Sequence, residues 1–90
     1  MQKHLIIKVS GKVQGVFYRA STKEIADQLA LTGFVRNEDD GSVYIEVEGD
    51  DAVLQQFVSW CKQGPRMANV NAVDIIEASL TGFKNFEVRR

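Results

Sequence analysis

The chain has 90 residues, 44% apolar and 26% charged, with eleven basic against twelve acidic side chains for a formal net charge of −1. That length fits one small domain over residues 1–90, and the balanced charge argues against a nucleic-acid-coating or membrane-surface protein, which needs a strong basic excess. A lone cysteine, Cys61, and a lone histidine, His4, exclude an intrachain disulfide, a Cys/His zinc cluster and a multi-histidine metal site.

The first element is a strand. Leu5, Ile7 and Val9 alternate with Lys8 and Ser10, Ile6 adds apolar character to the second face, and Gly11 ends the run. His4, at its start, is expected to be a partly exposed strand residue. A helix follows, because Tyr18, Thr22, Ile25, Ala26 and Leu29 share one face at helical spacing. Ser21 with Glu24 has the form of a capping box, but Tyr18 already belongs to the apolar face, so the start is placed nearer Phe17. Gly33 is the expected C-terminal stop.

Phe34 to Asn37 and Val43 to Val47 read as two strands joined around Asp40-Gly41, a dipeptide that favours tight turns. Val43, Ile45 and Val47 should face the core, with Tyr44, Glu46 and Glu48 opposite. Asp50 or Asp51 can cap a second helix with Val53, Leu54, Phe57, Trp60 and Cys61 on its apolar face, ended by Gly64-Pro65. Val73 and Ile75 suggest a fourth strand, and Phe86 and Val88 a short last one. The order is β-α-β-β-α-β, giving an α+β, ferredoxin-like sandwich. Two helices should cover one face of an antiparallel sheet, with a short extra C-terminal strand.

That fold hosts many unrelated activities, so function has to come from a site. The segment Gly11 to Arg19, GKVQGVFYR, joins the first strand to the first helix. N–H groups at a helix start have no internal partner, and Gly15 permits a tight turn and close approach. Successive N–H groups from Gly15 to Arg19 can form a nest for an anion. Arg19 would add a planar, permanently charged fork suited to a phosphate or carboxylate. An ordinary strand-to-helix loop with a solvated arginine is the competing reading. Neither G-x-x-x-x-G-K-[ST] nor G-x-G-x-x-G is present, so a nucleoside triphosphate or dinucleotide is not implied.

GKVQGVFYR closely resembles the acylphosphatase signature G-x-V-Q-G-V-x-[FY]-R. GFVRNEDDGSV, Gly33 to Val43, resembles that family's second motif, G-W-V-x-N-x-x-D-G-x-V, and Gly64-Pro65 also sits where bacterial members often carry this pair. The resemblance covers essentially the whole chain. It implies a hydrolase that splits acyl phosphates into a carboxylate and inorganic phosphate by metal-free attack of water, with no cofactor. It further implies that Arg19 is the phosphate-binding catalytic arginine and that Asn37 positions the water. The loop Gln14, Gly15, Val16, Phe17 and Tyr18 would then lead into Arg19 and hold the phosphate through backbone amides. Phe34 departs from the pattern, where many members have tryptophan.

Other chemistry-bearing residues are expected to be structural. Cys61 lies near a helix end on or near the apolar face and reads as a buried thiol. Phe57 and Trp60 read as core, and Arg36 should point away from Asn37 by strand alternation. Asp39 and Asp40 read as solvated turn residues, and Lys84, Arg89 and Arg90 are too few for an electrostatic binding surface. An RNA recognition motif shares the element order, but its third strand should carry stacking aromatics where SVYIEVE has Tyr44 and two glutamates. No apolar run approaches the roughly 20 residues of a membrane span. No signal-peptide core follows Met1. A cytoplasmic monomer acting on a small acyl phosphate, without nucleic acid or membrane partners, is the expectation.

Overall fold

A computed structural model describes residues 1–90. In chain order its elements are β1 (Gln2–Lys12), α1 (Tyr18–Gln28), β2 (Thr32–Asn37), β3 (Val43–Asp50), α2 (Asp51–Gln63), β4 (Asn69–Ala78) and β5 (Phe86–Val88). The strands form one sheet in the order β4-β1-β3-β2-β5. All pairings are antiparallel except β2 with β5, which is parallel and makes the sheet mixed. The expected ferredoxin-like sandwich is present. Its extra strand is parallel because the chain leaving β4 crosses to the far edge before turning up beside β2.

Strand alternation divides the sheet into two faces. Leu5, Ile7, Val9, Val35, Val43, Ile45 and Val47 are buried on the inner face, with Tyr18 and Ala26 from α1 and Leu54, Phe57, Val58 and Cys61 from α2. Trp60 is only partly buried and packs against this core. Asp50 caps α2 by accepting a hydrogen bond from the Ala52 amide at 3.2 Å.

Helix α1 starts at Tyr18 with Phe17 as its N-cap, where the apolar face places it, and no side chain makes a cap bond. Its expected end needs correction: Gly33 is not the stop, since Leu29 is the C-cap and Ala30 takes the left-handed turn at φ 56°. Gly33 instead lies within β2, where a Cβ would collide with the Glu46 carbonyl of β3. The glycine is needed for close strand approach.

The outer face is less polar and less open than its sequence suggests. His4, expected to be partly exposed, is only 2% exposed. Its Nε2 lies 2.9 Å from Glu46 Oε1 and its Nδ1 2.9 Å from Glu48 Oε2. The segment between β4 and β5 covers this pair, so Glu48 also accepts backbone N–H bonds from Thr81, Gly82 (3.0 Å) and Phe83 (3.3 Å). Burial opposes ionisation of Glu48, but those N–H donors outweigh it and hold its carboxyl below the usual range. Phe34 belongs to the same layer, 5.9 Å from the Phe83 ring and 6.0 Å from Tyr44, with the Arg89 guanidinium 4.0 Å over its face. At one edge, β4 leaves Ile75 and Ile76 41% and 65% exposed, the pair flanked by Asp74 and Glu77. No helix is long and apolar enough to cross a membrane.

Candidate active site

The loop from Val13 to Arg19 is pinned by three buried side chains, Val13, Val16 and Tyr18. Val13 and Val16 are 1% and 5% exposed and sink into the core, which leaves Gly15 and Phe17 outside. Gly15 has φ 73° and Phe17 φ 65°. Positive φ at Gly15 and Phe17, on either side of Val16, gives the loop the kind of backbone turns from which anion nests are built. For phenylalanine that conformation costs roughly 1–2 kcal/mol. Its ring is 78% exposed, so packing does not repay the strain.

Tyr18 then anchors the helix start. Its ring is buried, and its hydroxyl donates to the Cys61 carbonyl at 2.7 Å. Pro65 lies four residues after Cys61 and has no N–H, so that carbonyl lacks its helical donor. Burial holds the Tyr18 hydroxyl neutral well above the usual phenol range. It also pushes the Cys61 thiol up to about 12, as expected for a structural cysteine.

Arg19, next in sequence, points into a cavity of about 340 Å³ lined by Gly15, Phe17, Tyr18, Asn37 and Val88 among others. Its Nη1 donates to the Arg89 carbonyl at 3.1 Å, a neutral partner that leaves the positive charge uncompensated. Asn37 ends β2 opposite Val43, and alternation with Val35 sets its side chain on the inner face, toward α1. Arg36 lies on the outer face, its guanidinium 4.4 Å over the Tyr44 ring and its Nε 3.0 Å from Glu38 Oε2. A larger cavity, about 520 Å³, is lined by Leu29, Thr32, Asp50 and Leu80. It has no cationic side chain, and its buried carboxylate, Glu48, is already bonded to the strap between β4 and β5.

Gly15, Phe17, Tyr18, Arg19 and Asn37 thus line one cavity, although Arg19 and Asn37 come from different elements. Val16 does not line it, and its side chain belongs to the core. The Gln14 side chain turns instead to the β2–β3 turn, donating to the carbonyls of Glu38 and Ser42 at 2.8 Å each. Sequence reasoning missed this bond and the Arg89 carbonyl, since the motif shows residue types but not where a flexible amide or a chain end will lie. Asp39 is exposed, as expected. Asp40 is exposed but paired, with Lys8 at 2.8 Å and the Ser42 hydroxyl at 2.6 Å. These bonds, the Lys8 bond foremost, hold its carboxyl well below the usual range.

The family model for acylphosphatase matches residues 5–88. The chain belongs to the acylphosphatase family. It is 44% identical over 89 residues to an acylphosphatase of Methylococcus capsulatus, covering 98% of this chain and 97% of that one. The crystal structure of the Bacillus subtilis acylphosphatase superposes with a TM-score of 0.93 at 38% identity over the full length of both chains. An acylphosphatase from Coxiella burnetii gives 0.94 at 35% identity, covering 98% of this chain and 93% of its own. The activity of this family of hydrolases is cleavage of acyl phosphates.

Proposed function

We propose that this chain hydrolyses acyl phosphates by in-line attack of water on phosphorus, with Arg19 and Asn37 as its working side chains. The observation that carries the proposal is the shared cavity, where a charge-available guanidinium and a strand-end carboxamide meet beside the loop from Gln14 to Tyr18. The phosphoryl group sits in the loop, its oxygens held by backbone N–H groups and by the planar fork of Arg19. Gly15 allows the close approach, since nothing lies within 4 Å of where its Cβ would be.

The substrate is a mixed anhydride whose leaving carboxylate has a conjugate acid of pKa about 4–5, by analogy with Asp and Glu. Such a group departs unprotonated, so the site needs no general acid. Phosphoryl transfer then calls for positioning and stabilisation of charge on the equatorial oxygens. Arg19 and the amides supply the stabilisation. The Asn37 carboxamide oxygen accepts a hydrogen bond from water and aims its lone pair in line with the breaking bond. Because asparagine is neutral and a poor base, the water's proton passes to a phosphate oxygen of the substrate. This chemistry needs no metal ion or cofactor.

A monomer acting in the cytoplasm fits the same reading. Asp74 and Glu77 flank Ile75 and Ile76 on the β4 edge, and their like charges oppose edge-to-edge pairing of two copies. The net charge of −1 and the absence of a stacking-aromatic pattern on β3 support a small-molecule substrate over nucleic acid. Hydrolysis of benzoyl phosphate in ¹⁸O-water tests the route of attack. Label in the inorganic phosphate supports attack at phosphorus, and label in the benzoate refutes it.

A further inference from the structure

We propose that Gln14 is a positioning residue that sets the phosphate loop at a fixed distance from Asn37. The inference rests on the reading of Asn37 as the group that aims the water.

Gln14 Nε2 donates to two carbonyls, Glu38 O and Ser42 O, each at 2.8 Å. Both partners only accept, so they fix which end of the carboxamide is nitrogen. Both N–H bonds are used there, and none is left for a phosphate oxygen. Glu38 directly follows Asn37, and Ser42 directly precedes Val43, the strand partner of Asn37. The carboxamide therefore grips both sides of the β2–β3 turn, one residue from the proposed water-aiming group.

The turn does not need Gln14 in order to close. Ser42 O already accepts the Glu38 amide at 2.9 Å, and Glu38 O accepts the Gly41 amide at 3.1 Å. Asp40 binds the Ser42 amide and hydroxyl, and Lys8 ties Asp40 to β1. What Gln14 adds is a link between two bodies that are each already braced. On its own side, Val13 and Val16 anchor the loop in the core, and Gly15 supplies the freedom that the link restrains. Without the link, loop and turn keep their shapes but their separation relaxes. The phosphate then stays bound while the water loses its line of attack.

The test compares the native chain with Gln14→Met, which has similar reach but no donor, and with Gln14→Glu. Each change is also placed in an Asn37→Ala background. Benzoyl phosphate turnover gives kcat and KM, inhibition by inorganic phosphate gives loop affinity, and urea unfolding confirms that each variant folds. A misplacement near 1 Å can cost about 100-fold, so kcat should fall roughly 10- to 100-fold in Gln14→Met. Phosphate inhibition should stay within about threefold of native, since the loop amides and Arg19 are untouched. In the Asn37→Ala background the same change should cost less than about threefold, because the group that Gln14 positions is already gone. Gln14→Glu should recover part of its loss as the pH falls, since only a protonated carboxyl can donate to either carbonyl. It carries the test if the methionine variant does not fold.

A native-like kcat in both Gln14 variants overturns the proposal. So does an equal loss in both backgrounds, or a phosphate affinity that falls as far as kcat. Full turnover in Asn37→Ala alone overturns the Asn37 reading and this proposal with it. An additive loss on top of a collapsed Asn37→Ala removes only the role of Gln14.

Discussion

Tyr18→Phe isolates one hydroxyl that joins the start of α1 to the end of α2. The ring stays, so its packing against Trp60, with centroids 5.3 Å apart, is kept. What disappears is the donor to the Cys61 carbonyl at 2.7 Å. Cys61 is fully buried, and Pro65 offers that carbonyl no helical N–H, so water or backbone does not readily replace the tyrosine. A buried acceptor left unsatisfied costs about 1–3 kcal/mol, more than the 0.5–1.5 kcal/mol of a typical net hydrogen bond. For a domain of this size each kcal/mol lowers Tm by roughly 4–8 °C. Urea unfolding followed by far-UV circular dichroism measures the loss free of any local effect on Trp60 fluorescence. The expected result is a lower midpoint at unchanged m value. A free-energy change below about 0.5 kcal/mol, the range of ordinary surface substitutions, would refute the claim that Tyr18 serves an orphaned carbonyl.

Glu48→Gln tests the outer face. Glu48 titrates below its ordinary value when folded, so its contribution is present above the unfolded pKa and is lost as pH falls through the folded one. The variant should be less stable by about 2–3 kcal/mol near pH 7, from weakened bonds to a charged acceptor, and the gap should narrow below about pH 4. Urea midpoints across pH check this, and a pH-independent gap would contradict it. Gly33→Ala should force β2 away from β3, because its Cβ meets the Glu46 carbonyl at φ 142°. A loss of about 3 kcal/mol or more is expected from a clash of this kind, read by thermal unfolding, and a neutral change would contradict the close-approach role.

Much of this architecture was legible because period and turn chemistry agreed. Alternation along β1 and β3 gave the inner face, the Asp50-Asp51 pair gave the start of α2, with Asp50 the residue that caps it, and Gly64-Pro65 marked its end. The Gly11–Arg19 motif marked the loop that lines a cavity with Asn37, and the alternation of Asn37 with Val35 is what brings its side chain toward Arg19. Other features depend on partners distant in sequence. His4 is buried only because the strap after β4 folds over it, and Gly33 is required only because β3 lies so close. Phe34 sits three residues before Asn37, hence on the opposite face, and takes its packing from Phe83 and Arg89 near the chain's end. The capping-box pattern at Ser21 and Glu24 was a local signal overruled by the core position of Tyr18.

Hydrolysis of benzoyl phosphate with EDTA present, for the native chain beside Arg19→Ala and Asn37→Ala, decides whether these two side chains carry a metal-free reaction. Turnover should survive chelation, Arg19→Ala should lose both turnover and phosphate affinity, and Asn37→Ala should lose turnover while phosphate inhibition stays close to native. Native turnover abolished by chelation, or equal losses of turnover and phosphate affinity in the two variants, would contradict it.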